Sequence, residues 1–501
     1  MDKSVMTLTG GLTPALGFAT MIGLGLASLA LSYAIKTLLV RNTHDFIIAD
    51  RKVGFGFGVG SVIAVWTWAM AVMMSSAMTY NWGLSGLFWF VVPNGLAVIA
   101  MIPFARMMRK NMPRGYTISE FIEHRFKRSR VATTIVTLTM IFGILLEILI
   151  NLKGTSVVVS TVFSIDWKVA TVVGIICVLA YSYFGGLWTS VMTGTINTLM
   201  ITIPAAIIVA AVYDQIPGGA AAVVDAVGKA DERNLTVLRP DAAAGFGITL
   251  AFGLLAATIS DQTFWQKVWA IKSKDVPRTF FWAGALFYPI PICLGMLGLV
   301  GIAMGIKPSD IGGDIAAIGP YVVSHIGLPL TLVILYVLVI LAACFSTIDG
   351  ASSALSSIVA VDIVKRYWPA TAESKLFLIT KLSVLLGGVI ATIIVLSGID
   401  FTTLVLTTYA LKTSILLPLV LAILWPRTNM VGFVGGVILA ILIGMPIYQL
   451  QGELLGTLSI VGISGGTVLI AGFLGGEAFD LSRLRRVSDE LTETVPARAA
   501  E

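Results

Sequence analysis

Asp261 stands in the run Thr258-Ile-Ser260-Asp261-Gln262-Thr263-Phe264-Trp265-Gln266-Lys267, where a carboxylate and two amides sit among aromatic rings at the end of an apolar stretch. Such groups hold a polar solute or a cation by charge and hydrogen bonding. The bland alternative is a helix-end carboxylate paired with Lys267. A second run reads Ser61-Val-Ile-Ala64-Val-Trp66-Thr67-Trp68-Ala69 and continues to Ser75, Ser76 and Thr79. Trp66 and Trp68 are about 200° apart around an ideal helix, so they share a face only where the helix unwinds. A third run carries Ala343, Ser346, Thr347, Asp349, Ser352, Ser353, Ser356 and Ser357. Ser346, Ser353 and Ser357 fall on one helix face, and hydroxyl and carboxylate oxygens on one stripe suit a hard cation or a proton. Hydrogen-bonded packing between helices is the competing use of those serines. Glu147 and Lys412 are opposite charges inside apolar runs, and Lys412 has three candidate partners: Glu147, Asp261 and Asp349.

The elements that position these groups follow from composition. Of 501 residues, 57% are hydrophobic and 12% charged, where a soluble domain carries about 25% charged residues. A soluble enzyme is excluded. With roughly 20 apolar residues needed per crossing, apolar runs mark spans near 15–40, 54–80, 84–105, 131–152, 168–184, 187–213, 242–264, 279–306, 329–362, 377–399, 401–425, 428–448 and 458–477. The expected protein is therefore an all-α polytopic membrane protein of about 13 transmembrane helices. The 50 glycines suit helices that approach closely in lipid. Cys177, Cys293 and Cys344 lie in apolar runs and His44, His124 and His325 are scattered, so neither a disulfide framework nor a metal-ligand spacing is visible.

The net charge of +6 points to the membrane through its distribution, and no nucleic-acid partner is expected. An odd number of spans puts the termini on opposite sides. With the N-terminus outside, the inner segments hold 23 of the Lys and Arg residues, among them the cluster Arg106 to Arg130, and the outer segments hold 7. The positive-inside rule then gives an outer N-terminus and a cytoplasmic C-terminus in the cell membrane. Gly54-Phe-Gly-Phe-Gly58 opens the second span and Gly245-Phe-Gly247 opens the seventh, five spans later. A five-plus-five inverted repeat places two interrupted helices at those positions, and in transporters such helices form the midplane site.

Together these stretches resemble the sodium:solute symporter family, whose members share the leucine-transporter-like inverted-repeat fold. The resemblance is carried by the Gly185-Gly186 turn after Tyr181, by Ala343-x-x-Ser346-Thr347 followed by Asp362, and by the span pattern of nearly the whole chain. Trp66-Thr-Trp-Ala69 with Gly83-Leu-Ser-Gly-Leu-Phe-Trp89, and Asp261-Gln-Thr-Phe-Trp265-Gln266, look most like the urea active transporter branch. The resemblance implies an extra helix and inner loop over 1–53, repeats over 54–214 and 242–426 separated by an extracellular loop over 215–241, two further helices over 427–478, and a cytoplasmic tail over 479–501. It implies a sodium site from the backbone carbonyls of Ala64, Thr67 and Ala343 and the hydroxyls of Ser346 and Thr347. A second sodium site in some members uses an aspartate whose matching position here is Gly194, and Asp349 lies near where that site would draw its hydroxyl ligands. Asp349 thus stands as a second-cation or proton site.

The function expected from these readings is cation-coupled symport of a small polar solute by alternating access, with sodium preferred over the proton and no organic cofactor. Urea is the expected solute, held by Trp66, Trp68, Asp261, Gln262 and Trp265. A monocarboxylate, proline or another small amide is the alternative, as is a passive urea channel or facilitator. A membrane-embedded enzyme is disfavoured because no cluster of catalytic spacing is present.

Overall fold

The structure is a computed structural model that describes residues 12–399, 401–475 and 477–486. Among the described residues it is built of helices. The principal ones are α1 (Pro14–Leu39), α2 (Phe55–Trp66), α3 (Ser75–Trp82), α4 (Leu84–Asn111), α5 (Arg130–Phe163), α6 (Trp167–Asp214), α7 (Ile248–Ile259), α8 (Gln262–Ala270), α9 (Val276–Phe287), α10 (Pro289–Ala303), α11 (Leu330–Ile358), α12 (Glu373–Leu396), α13 (Phe401–Leu424), α14 (Met430–Leu439) and α15 (Glu453–Gly475). Among the described residues ten helices are long and apolar enough to cross a membrane, or eleven when the bent pair Phe55–Trp66 and Ala71–Trp82 counts as one span. The runs expected at 168–184 and 187–213 lie on the two helical arms of α6, which meet at a kink at Gly186, where φ is 52° and the backbone is not helical. A Cβ there would lie 2.4 Å from the Phe46 carbonyl oxygen, so both the turn and the close approach require glycine. The run at 401–425 lies on α13. The expected tail over 479–501 is described only to residue 486, and the terminal Lys3 and Arg498 of the charge count lie outside the described residues.

Two kinds of surface explain the packing. On α6, Ile196, Leu199, Ile203 and Ile207 recur every three or four residues and are exposed, forming an apolar stripe that only lipid can cover. Buried faces instead use small residues. A Cβ on Gly17 would come within 2.7 Å of the Phe163 ring, and one on Gly25 within 2.7 Å of Cys177 Cβ. Farther along α1, the Ser32 hydroxyl donates to the Tyr181 carbonyl at 2.6 Å. Without a hydrophobic drive between helices in lipid, this close approach and these hydrogen bonds hold the bundle together.

Two spans are interrupted at the same depth. The first stops at Trp66 and resumes at 68° to its former direction. The chain between is held open by neighbours: Asn151 Oδ1 accepts from the Ala69 N–H at 2.8 Å, and the Trp66 indole N–H donates to the Asn94 carbonyl at 3.2 Å. The second stops at Ile259. Asp261 takes an extended conformation and caps α8, accepting from the Thr263 N–H at 2.7 Å. Asp is a strong N-cap, so the sequence itself writes this interruption.

The two interrupted spans run antiparallel. Where α2 begins and α8 ends, Val53 pairs with Ile271 in an isolated parallel bridge, with Val53 N–H to Ala270 O at 3.2 Å and Lys272 N–H to Val53 O at 2.9 Å. This end of the bundle carries the Arg- and Lys-rich segments and is called the basic end below.

Candidate functional site

The breaks bring their aromatic rings together. Trp66 and Trp68 meet edge to face with centroids 6.0 Å apart, and Phe264 meets Trp66 at 5.3 Å. The unwound segment is what lets two residues that an ideal helix would separate face one another. The Trp68 indole nitrogen is buried without a hydrogen-bond partner, which leaves a donor available in the site.

Against these rings lies a charged trio. Lys412 of α13 pairs with Glu147 of α5 and with Asp261 at the second break, so its ammonium donates to both carboxylates. The Trp68 ring covers that ammonium with its centroid 5.1 Å away. Gly143, one turn before Glu147, makes room for the lysine stem: a Cβ there would stand 3.1 Å from Lys412 Cε. Asp261 therefore pairs with Lys412 and not with Lys267. Exposure of the trio is 1–2%, and that of Trp66 and Trp68 is 2–3%. These side chains are all buried in this arrangement.

Of the five residues expected to hold a cation, Ala64, Ala343, Ser346 and Thr347 lie together, and Thr67 is not among their contacts. The Ser346 hydroxyl lies 3.1 Å from the Ala64 carbonyl oxygen and 3.0 Å from that of Ala343. The Thr347 hydroxyl lies 3.1 Å from Ala343 O and 3.4 Å from Val65 O. Val65 thus supplies the carbonyl beside Thr347, and the Thr67 hydroxyl turns back to Ile63 O at 2.7 Å. Carbonyl and hydroxyl oxygens at the last turn of a stopped helix form a donor set suited to a hard cation. Among the described residues no group of three or more His, Cys, Asp or Glu side chains is placed to hold a metal.

Asp349 lies apart from this set. It accepts from Ser182 Oγ at 2.5 Å, and its second carboxylate oxygen is buried without a partner. Lys267 donates to Ser61 Oγ at 2.6 Å and interacts electrostatically with Asp349. At Gly194 a Cβ would come within 3.1 Å of Ala64 Cβ, so α6 crosses α2 tightly there and leaves little space for a longer side chain.

Two expected solute ligands are placed elsewhere. The Gln262 side chain accepts from Ile118 N–H at 3.0 Å and donates to Tyr116 O at 2.9 Å and Ser357 Oγ at 3.2 Å. Its amide is spent on sealing the basic end. Trp265 donates to Ile259 O at 2.8 Å and packs against Trp269 at 5.9 Å. Neighbouring groups strengthen the seal: Gln266 donates to Ile47 O at 2.6 Å, Trp269 to Met112 O at 2.8 Å, and Thr117 to Asp362 at 2.7 Å. Arg366 and Glu123 add an ion pair there. The Gln262 amide thus faces the Tyr116 and Ile118 backbone, and the Trp265 indole closes back on the last carbonyl of α7 at the second break.

The residues that sequence reasoning did not assign to the site are Glu147, Lys412, Phe264 and Asn151. A signal for two of them was present, since Glu147 and Asn151 lie four apart in one apolar run and polar pairs at that spacing share a helix face. Asn151 also donates to Glu147 O at 2.8 Å.

The profile of the sodium:solute symporter family matches residues 46–440. The urea-proton symporter DUR3 of Oryza sativa subsp. japonica is 23% identical over 484 residues, covering 87% of this chain and 66% of that protein. The probable urea active transporter 1 of Schizosaccharomyces pombe is 26% identical over 404 residues, covering 74% and 59%. The chain thus spans less than two thirds of the length of these relatives. Among solved structures, a Na+-coupled sialic acid symporter in a substrate-bound outward-open state superposes with a TM-score of 0.75 at 18% identity, over 93% of this chain and 99% of that one. MhsT in complex with L-phenylalanine gives 0.52 at 14% identity, over 83% and 98%. Those likenesses establish the leucine-transporter-like fold, and the profile match over most of the sequence places this multi-pass membrane protein: the chain belongs to the sodium:solute symporter family.

Proposed function

We propose that the protein is a secondary active transporter that takes up urea with a coupled cation, sodium at the Ala64, Ala343, Ser346 and Thr347 oxygens, by alternating access. The observation that carries this reading is the meeting of two helix breaks around Trp66, Trp68 and Asp261, all buried. A neutral planar solute with one carbonyl and two amide groups matches an indole donor, a carboxylate acceptor and flat rings. The urea transporters among the relatives support the same solute. A monocarboxylate fits less well, because the lysine that would attract it is already paired with two carboxylates.

The test is uptake of radiolabelled urea into proteoliposomes with sodium and pH gradients imposed separately. Accumulation above the equilibrium level under either gradient supports coupled transport. Equilibration alone, unaffected by an ionophore, would establish a facilitator.

Thr347→Ala removes one hydroxyl from the proposed sodium set while the backbone carbonyls remain. An unsatisfied ligand position costs about 1–3 kcal/mol, or roughly tenfold in affinity. Half-saturation by sodium is therefore expected to rise about tenfold in urea uptake. Unchanged sodium dependence in both Thr347→Ala and Ser346→Ala would move the coupling site elsewhere, with Asp349 the next place to look.

The proposed orientation has the basic end in the cytoplasm. A cysteine introduced at Asp231 is expected to react with an impermeant maleimide in intact cells, and one at Arg485 only after permeabilisation. The reverse pattern would invert the topology.

A further inference from the structure

The Glu147–Lys412–Asp261 trio gathers two carboxylates around one ammonium where exposure is 1–2%. Fully ionised it bears a net negative charge, and an uncompensated charge at membrane depth is costly. Both carboxylates contact the one Lys412 ammonium, which brings the two carboxyl groups side by side. Two ionised carboxylates repel at that distance, whereas one proton between them turns the contact into a hydrogen bond. Lys412 already fills the position that a metal ion bridging the pair would take, so the missing positive charge is best supplied by a proton.

We propose that Glu147 is a proton-binding site of the transport cycle. A proton from one side of the membrane adds to the Glu147 carboxylate, and the resulting O–H donates to the Asp261 carboxylate. Release to the other side restores the carboxylate, with Lys412 pairing Asp261 throughout. The proton belongs on Glu147 because Asp261 caps α8, where the Thr263 N–H donates at 2.7 Å and the helix N-terminus favours negative charge. Glu147 lies within a continuous helix, and the Thr263 hydroxyl stands 3.5 Å from its second oxygen.

The titratable and charged groups that face Glu147 come from two neighbouring elements: Asp261 at the second break, and Lys412 and Tyr409 on α13. The trio joins α5, α13 and the start of α8, so a shift of α8 against the other two changes the carboxyl–carboxyl contact and with it the affinity for the proton. That differential affinity is what couples proton binding to the transport states. This inference rests on the transporter reading above and names the site of a coupled ion within it.

The test uses the full chain purified in lipid, with two readouts. Infrared titration of carbon-13 glutamate-labelled protein between about pH 5 and 9 follows the protonated glutamic carbonyl band without any solute. The band should titrate in the wild type, vanish in Glu147→Gln and move to the aspartic region in Glu147→Asp. In proteoliposomes at fixed sodium, an inward proton gradient of about two pH units should raise wild-type urea uptake about tenfold, and Glu147→Gln uptake less than twofold, whatever its absolute rate. A wild-type protein without the titrating band, or a Glu147→Gln protein that keeps it or keeps the full response to the gradient, overturns the proposal. If Glu147→Gln fails to fold, the wild-type titration and the Glu147→Asp band shift decide alone. A protein that shows the band and moves no urea retains the proton site and rejects urea as the solute.

Discussion

Lys412→Ala should destabilise the protein more than any other single change considered above, by about 3–5 kcal/mol, because it strands two buried carboxylates without their counter-charge. Its ammonium pairs with both Glu147 and Asp261, and Trp68 closes over it. Removal therefore leaves like charges side by side with no water to screen them. The loss should shrink as pH falls, since protons can then replace the lysine. The neutral triple variant Lys412→Met, Glu147→Gln, Asp261→Asn should recover most of the stability while remaining inactive, because a buried ionic group replaced whole by uncharged side chains is often near neutral for folding. Detergent-solubilised protein unfolded by heat at two pH values measures both effects. Wild-type stability for Lys412→Ala at neutral pH would show that the trio is not a paired unit.

Much of this arrangement could be read before the fold was known, and the boundary falls along physical lines. The spans are legible because apolar runs need only length, and the first break is legible because Trp66-Thr67-Trp68 cannot present both rings to one face without unwinding. The second reads in the sequence as one span over 242–264 that ends before a basic inner loop, whereas Asp261 caps a further buried helix, α8, that carries Lys267. The oxygens of Ala64, Ala343, Ser346 and Thr347 lie together, while the carbonyl beside Thr347 is that of Val65 where the resemblance implied Thr67.

Partner choice was not legible. Lys412 had three carboxylates to choose from, and only the packing of α13 against α5 and the second break selects two of them. Gln262 and Trp265 sit in the same polar run as Asp261, yet α8 begins at Gln262, and its 3.6-residue period puts Gln262, Trp265, Gln266 and Trp269 on one helix face. The amide that looked like a solute ligand instead ties Tyr116 and Ile118 to α8. The Gly185-Gly186 turn, in contrast, was legible: the runs at 168–184 and 187–213 are the two helical arms that meet where Gly186 leaves helical geometry.

Asp261→Asn separates the roles that this residue combines. Asparagine caps a helix about as well as aspartate, so α8 should still start at Gln262 and the protein should fold. The trio loses one carboxylate, and Glu147 with Lys412 remains as a matched pair, which makes the change far milder for stability than Lys412→Ala. What is lost is an ionised acceptor facing the Trp66 and Trp68 rings. If urea donates an amide hydrogen to that carboxylate, the neutral side chain offers one weaker acceptor oxygen and an NH2 that faces the solute's own donors. A buried polar group left without its partner costs about 1–3 kcal/mol, so half-saturation by urea should rise about tenfold or more, measured as initial uptake of labelled urea. The sodium dependence should stay as in the wild type, since Ala64, Ala343, Ser346 and Thr347 are untouched. Asp261→Ala should add a folding loss of about 0.5–2 kcal/mol through the missing cap, which distinguishes the structural role from the solute role in the same pair of measurements. Wild-type urea affinity in a folded Asp261→Asn protein would leave this residue as a cap and a partner for Lys412, and would place the solute elsewhere between the breaks.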